Sequence, residues 1–203
     1  MKKNIENKFF IVISILTFIF MGIGTTFAYY TSVIMPEGND LETKSQNIAM
    51  SLNVTALYNE KKIIPTNDSD IFTAFENHCI DQHNFGACYA FSIEIVNNGI
   101  PQDITGSFKL TNDKLTHLKY LFLDADNGNE VFQGITEAHD EFANVGTSIP
   151  LDTGESKHLI LVIWLSNINS SQDDETGGLF NGEFTAVGSM GNRITGTISA
   201  VNS

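Results

Sequence analysis

Basic residues, proline and cysteine are all scarce in this chain: 203 residues hold 11 Lys plus Arg against 24 Asp plus Glu, with 4 Pro and 2 Cys. The shortage of cations leaves a formal net charge of −13. Such a surface repels nucleic-acid phosphates and anionic lipid and argues against both as partners. It suits solubility outside the cell, cation binding and contact with cationic surfaces. So little proline beside 42% apolar residues and 15 Phe argues for a packed domain and against a disordered polymer. Hydrolytic signatures are missing too. There is no Gly-x-Ser-x-Gly elbow and no His-Glu-x-x-His zinc helix. The histidines, His78, His83, His117, His139 and His158, are scattered, and the nearest approach to a motif, His139-Asp140-Glu141, lacks a second histidine. A glycosidase would need only two facing carboxylates, and the acidic residues offer too many pairs for sequence to single one out. No enzyme is expected.

The one apolar run long enough to matter to a membrane lies at the start. Lys2, Lys3 and Lys8 lead into the apolar residues 9–20, which close on Gly22-Ile23-Gly24-Thr25-Thr26-Phe27-Ala28 before the polar Tyr29-Tyr30-Thr31-Ser32. A cationic head, an apolar core and a small residue before a polar stretch make a secretory signal peptide, cut between Ala28 and Tyr29. The alternative is a retained anchor, because residues 9–28 would span about 30 Å of hydrocarbon as a helix. Gly22, Gly24, Thr25 and Thr26 weaken the last turns of such a helix. A pilin-type leader would need an early Glu in the apolar run, and none is there. Cleavage leaves 8 basic and 23 acidic residues in a mature chain of about 175, the length of one domain. No LPxTG-like sorting tail follows, so the cleaved product is expected to be secreted with no stable membrane anchor.

In an exported chain Cys79 and Cys88 most simply pair. The loop between them would contribute roughly 2.7 kcal/mol in the chain-entropy model. Their spacing excludes a CxxC redox motif. A metal cluster completed by His78 and His83 is the other reading, built on two cysteines that alone make a poor zinc site.

After the leader the dominant period is two. Residues 48–58 alternate, with every even position apolar, and so do Tyr89, Phe91, Ile93 and Ile95, ending at the turn signal Asn97-Asn98-Gly99. Ile104, Phe108 and Leu110 continue the pattern. Residues 118–123 and 130–135 flank Asn127-Gly128, a hairpin signal. Residues 159–165 are continuously apolar, which reads as a central strand buried on both faces, with Trp164 in the core. Residues 180–187 and 193–201 follow as a last pair. Only residues 137–144 look able to form a helical turn. Eight or nine short strands point to an all-β antiparallel sandwich, with residues 1–28 as leader, 29–47 as N-terminal strand and linker, and 48–203 as the domain.

Two stretches carry a resemblance. Gly24-Thr25-Thr26-Phe27-Ala28 followed by Tyr29-Tyr30-Thr31-Ser32 resembles the junction of Gram-positive exported proteins processed by the signal peptidase SipW, whose clients include the TasA and camelysin-like (CalY) family. Cys79 and Cys88 leading into residues 89–99, then residues 161–165, Gln172-Asp173-Asp174-Glu175, Phe180-Asn181-Gly182 and residues 194–198, are similar to the cysteine-bearing and closing strands of the same group. The resemblance implies a sandwich of jelly-roll type, a SipW-type peptidase as processing partner, and assembly into extracellular fibres. Some camelysin-like proteins are classed as metallopeptidases, a reading that the scattered histidines do not support.

Three segments remain as candidate sites. Asp124-x-Asp126-x-Gly128-x-Glu130 alternates oxygen-bearing side chains around a glycine, as calcium loops do, and the same residues make an ordinary solvated hairpin. Gln172–Glu175 carries the same ambiguity. The mature N-terminus has Tyr29, Thr31, Val33 and Met35 on one side of a β-prone stretch, cut off from the domain by Pro36-Glu37-Gly38-Asn39-Asp40. Such a tethered strand can pair within its own domain or add to the sheet edge of another copy. The expected function is therefore a secreted, fibre-forming structural protein of the biofilm matrix, self-assembling or joining related subunits, without a cofactor unless calcium binds. The alternative is a monomeric secreted adhesin or ligand-binding sandwich.

Overall fold

Residues 49–59, 61–175 and 178–201 are described by the computed structural model. The leader, the Ala28–Tyr29 junction and the strand carrying Tyr29, Thr31, Val33 and Met35 lie outside the described residues. Nine strands lie among the described residues: β1 (Met50–Tyr58), β2 (Tyr89–Asn97), β3 (Gln102–Asn112), β4 (Leu118–Asp124), β5 (Glu130–Glu137), β6 (Ala143–Leu151), β7 (Ser156–Leu165), β8 (Leu179–Gly188) and β9 (Arg193–Val201). One short α-helix, α1 (Ile71–Glu76), follows a 3-10 turn at Asp68–Asp70 between β1 and β2.

The strands form two antiparallel sheets, ordered β1-β2-β7-β4-β5 and β6-β3-β8-β9. β2 pairs with β7, β3 with β6 and β4 with β5. These pairs are nested in sequence and lie alternately in one sheet and the other, the wrapped ribbon of a jelly roll. β9 sits beside β8, and β1 extends the first sheet beyond β2.

The inner faces make one core. Ile93, Ile95, Phe108, Tyr120, Phe122, Leu161, Ile163 and Phe184 are buried in it. Phe108 meets Tyr120 and Phe122 edge-on, with ring centroids 4.9 and 5.4 Å apart, the geometry that aromatic quadrupoles favour. Burial of each such side chain stabilises the fold by about 1.5–3 kcal/mol. A second, smaller core lies on the outer face of the five-stranded sheet. There Ala90, Leu121, Leu123, Ile160, Val162 and Trp164 pack under Ile71 and the two cysteines. From Leu159 to Leu165 β7 therefore needs apolar residues at every position: its odd residues face inward and its even ones face this cap.

Asn97 joins the sheets where β2 turns into β3. It is fully buried. Its Nδ2 donates to the carbonyls of Ile100 at 2.8 Å and Leu151 at 3.0 Å, and its Oδ1 accepts from Gly99 N and Gln102 Nε2, each at 3.1 Å. A turn that would otherwise bury unpaired carbonyls is satisfied by one amide.

Three local features differ from expectation. Residues 137–144 make no helix; Glu137 ends β5 and Ala143 begins β6. The helix is α1, and it forms because Ile71 and Ala74 bury against the sheet. β1 does not keep one face to its end, because a bulge between Ala56 and Tyr58 shifts the register. Met50, Leu52 and Val54 pack against the inner core, while Tyr58 packs against the outer one.

Candidate functional site

The acidic hairpin between β4 and β5 brings two of its three candidate ligands together. Asp124 is buried, and both its oxygens accept from Lys157 Nζ at 2.6 Å. Asn127 Nδ2 donates to Asp124 Oδ2 at 2.7 Å. Asp126 Oδ1 meets His158 Nδ1 at 2.8 Å, and Asp126 Oδ2 accepts from the backbone N–H of His158 at 2.9 Å. His158 Nε2 lies 3.3 Å from Glu94 on β2. Burial raises the Asp124 carboxyl, but the hydrogen bonds from Lys157 and Asn127 outweigh it and hold the group below the usual carboxylate range. The hydrogen bond to Asp126 lifts His158 above its ordinary value, against the opposing effect of burial.

Glu130 opens β5 opposite Asp124 and is exposed. The cation that the geometry gives these aspartates is the chain's own ammonium. Among the described residues no group of three or more His, Cys, Asp or Glu converges in a way that could hold a metal ion.

Cys79 and Cys88 are joined by a disulfide. The loop they close is a small hairpin: Ile80 bridges Gly86, and Asp81 N donates to Phe85 O at 2.9 Å. His78 packs its ring on Tyr58, with centroids 5.1 Å apart, and His83 lies beside Asp81.

The cap that holds this hairpin is locked to the sheet by a residue with no motif around it. Asp68 Oδ1 accepts from Trp164 Nε1 at 2.9 Å and from Ser166 Oγ at 2.8 Å, and Asp68 Oδ2 accepts from Lys119 Nζ at 2.7 Å. Burial raises its carboxyl, and these three donors more than reverse the effect. The available signal was Trp164, because an indole N–H inside an apolar strand requires a buried acceptor.

The second acidic loop hides another such contact. Glu175 is 2% exposed, and its Oε1 meets His117 Nδ1 while accepting from Thr116 Oγ1 at 3.2 Å and Gln172 Nε2 at 3.3 Å. Glu175 is a structural tie across the end of the sandwich, where a surface turn was one expectation.

The remaining feature is the side of the sandwich where β1 faces β9. Met50, Leu52 and Val54 on β1 and Ile194 on β9 are only partly buried. Gly196 makes room for them: a Cβ there would come within 2.8 Å of Val54 Cγ2 and 3.0 Å of Leu52 Cδ2. Both strands are sheet edges, with no strand beside their outer rows among the described residues.

Among the described residues no helix is long and apolar enough to cross a membrane. Comparison with protein-family models and with curated proteins gives no match. Among solved structures, the chain is similar to the cupredoxin domain of amoB from Nitrosocaldus yellowstonii, with TM-score 0.37 and 9% identity over 77% of this chain and 88% of that one. It is also similar to a conjugative transposon lipoprotein from Bacteroides eggerthii, with TM-score 0.34 and 9% identity over 73% and 95%. A lipoprotein from Bacteroides thetaiotaomicron gives TM-score 0.35 and 11% identity over 83% and 89%. At such TM-scores and identities the likeness says nothing of what the chain does.

Proposed function

We propose that this chain is a secreted, non-enzymatic structural subunit of the extracellular or biofilm matrix, assembling head to tail by lending residues 29–35 to the sheet of another copy. The observation that carries this reading is the partly covered side between β1 and β9. There, half-buried apolar side chains lie between two edge rows of backbone N–H and C=O groups. A strand alternating as Tyr29, Thr31, Val33 and Met35 do can add to such a row by main-chain hydrogen bonds while its apolar side covers the core. The polar spacer 36–40 gives it reach. A contact of this kind between unlike surfaces leaves a free donor at one end and a free acceptor at the other, so it grows a filament wherever its rotation does not close a ring. The leader and its SipW-like junction supply the route out of the cell, and the resemblance to TasA and camelysin-like proteins points the same way. The partners are further copies or related matrix subunits.

Deleting residues 29–35, or placing Pro at Thr31 and Val33 to remove ladder donors, is expected to abolish polymers seen by electron microscopy and light scattering. If the mature protein stays monomeric at every salt, pH and concentration tried, the fibre reading fails and the monomeric adhesin takes its place.

A further inference from the structure

The cap between β1 and β2 encloses a half-open hollow of about 420 Å³, within the roughly 300–1,000 Å³ range of small-molecule sites. Its walls come from three short segments. Asn67 and Asp70 precede α1, Thr73 and Asn77 lie on α1 and at its end, and Asp81 and Gln82 come from the disulfide hairpin. Its floor is aliphatic, with Ile64, Pro65 and Ile80.

The chemistry of the lining is selective. No Lys, Arg or His lines it and no aromatic ring does, so a phosphate, a uronate or a stacked base would find no partner. Two carboxylates stand among neutral amides and hydroxyls. Asp70 accepts from Asn67 Nδ2 and from Ser69 Oγ, each at 3.0 Å and each on a different oxygen, which leaves lone pairs on both. Asp81 uses Oδ1 for the backbone N–H groups of His83 and Phe85, at 2.9 and 2.7 Å, and its Oδ2 lies 3.5 Å from His83 Nδ1, so Asp70 is the carboxylate left open to a ligand. Among the described residues, the side chains of Thr73, Asn77 and Gln82 make no hydrogen bond within the chain. The walls are also pre-set: the disulfide closes the hairpin, and Asp68 ties the segment before α1 to Trp164 and Lys119. Rigid walls lower the ordering cost of binding.

We propose that this hollow binds an amino sugar, as the end or a branch of a glucosamine-containing polysaccharide. Hydroxyls around a pyranose match the ring of amide and hydroxyl groups, its C–H face matches the aliphatic floor, and its ammonium matches Asp70. A simple alkyl amine would satisfy Asp70 and leave the amides unmet.

Calorimetric titration of the mature protein at 0.15 M salt tests this, with glucosamine tetramer, its N-acetylated form and a glucose tetramer as probes. Glucosamine tetramer should bind at least tenfold more tightly than either neutral tetramer. Asp70→Asn should weaken it about tenfold, and Thr73→Arg, which fills the hollow and adds a cation, should abolish binding. Thr105→Arg, with the same added charge on the exposed face of the other sheet, should bind as the parent does, and tetralysine should not compete. Equal loss in Thr105→Arg, or competition by tetralysine, would mean that net charge and no built site attracts the probe. Unchanged binding in Thr73→Arg, equal affinity for the neutral tetramers, or no heat with any probe overturns the proposal. Circular dichroism melts of both arginine variants exclude unfolding as the cause. The readout does not depend on assembly, so a strictly monomeric protein would sink the fibre reading and leave this one standing.

Discussion

Asn97 is where a single side chain governs a turn. Asn97→Ala would strand the buried N–H of Gly99, the amide of Gln102 and two carbonyls. A stability loss of about 2–4 kcal/mol is expected in urea unfolding, from the 1–3 kcal/mol typical of each unsatisfied buried group. Asn97→Asp should cost at least as much, because its second oxygen would face the carbonyls of Ile100 and Leu151 where an N–H₂ now donates. A silent Asn97→Asp would sink this account. The His158 cluster sets a pH window. Asp126 sits below its ordinary value because the hydrogen bonds from the His158 backbone and ring and from Lys157 outweigh the burial that raises it. Its contribution is present above the unfolded carboxylate value of about 3.9 and is lost as pH falls through the lower folded value. His158 is shifted upward, so its share is full below about 6.5 and disappears as pH rises through the folded value. The hairpin should therefore be held best between these limits. Thermal melts of the parent and Asp126→Asn should converge above neutral pH as the His158 contribution fades. A constant gap from pH 5 to 9 would rule out the linkage.

Strands with an uninterrupted two-residue period were legible in the sequence, and so was the doubly buried β7, whose apolar run admits no other place than the sheet centre. β6 was not. Its inward residues Val145 and Ile149 stand four apart yet face Gly106 and Ile104, which stand two apart. The extra residues, with Gly146 at φ +60° under the ring of Phe132, erase the alternation. Helix α1 was hidden for the opposite reason. Ile71-Phe72-Thr73-Ala74-Phe75-Glu76 has weak helix formers and no side-chain cap, and only burial of its inner side explains it. Pairing of the cysteines was legible; the Asp68 lock and the Glu175 tie, which join residues far apart in sequence, were not. The cap predicts its own failure mode. Reducing the disulfide, or Cys79→Ser with Cys88→Ser, should lower stability by roughly 2.7 kcal/mol, and hydrogen exchange should quicken first in residues 71–88 while β7 stays protected. Unreduced, unfolded protein should show no reactive thiol. Uniform exchange throughout would mean that cap and sandwich unfold as one unit.

For the whole molecule, the expected product of export begins at or within a few residues of Tyr29, which mass spectrometry of secreted protein would read directly. Cell-bound protein with Lys2 intact would mean a retained anchor. The nested pairing has a consequence in time. Tyr89 must find Ile163, and Ile104 must find Ile149 and Gly188, so these sheets are built from contacts distant in sequence. Such topologies fold slowly, because loop closure precedes any reward. A chain emerging N-terminus first exposes β1, β2 and β3 before β7 and β8 exist to cover them. Local hairpins such as the disulfide loop and β4–β5 can close early. Slowness of this kind keeps a polypeptide threadable through a translocation pore, and it also makes the interval just after emergence the moment of greatest exposure to proteases and to wrong partners.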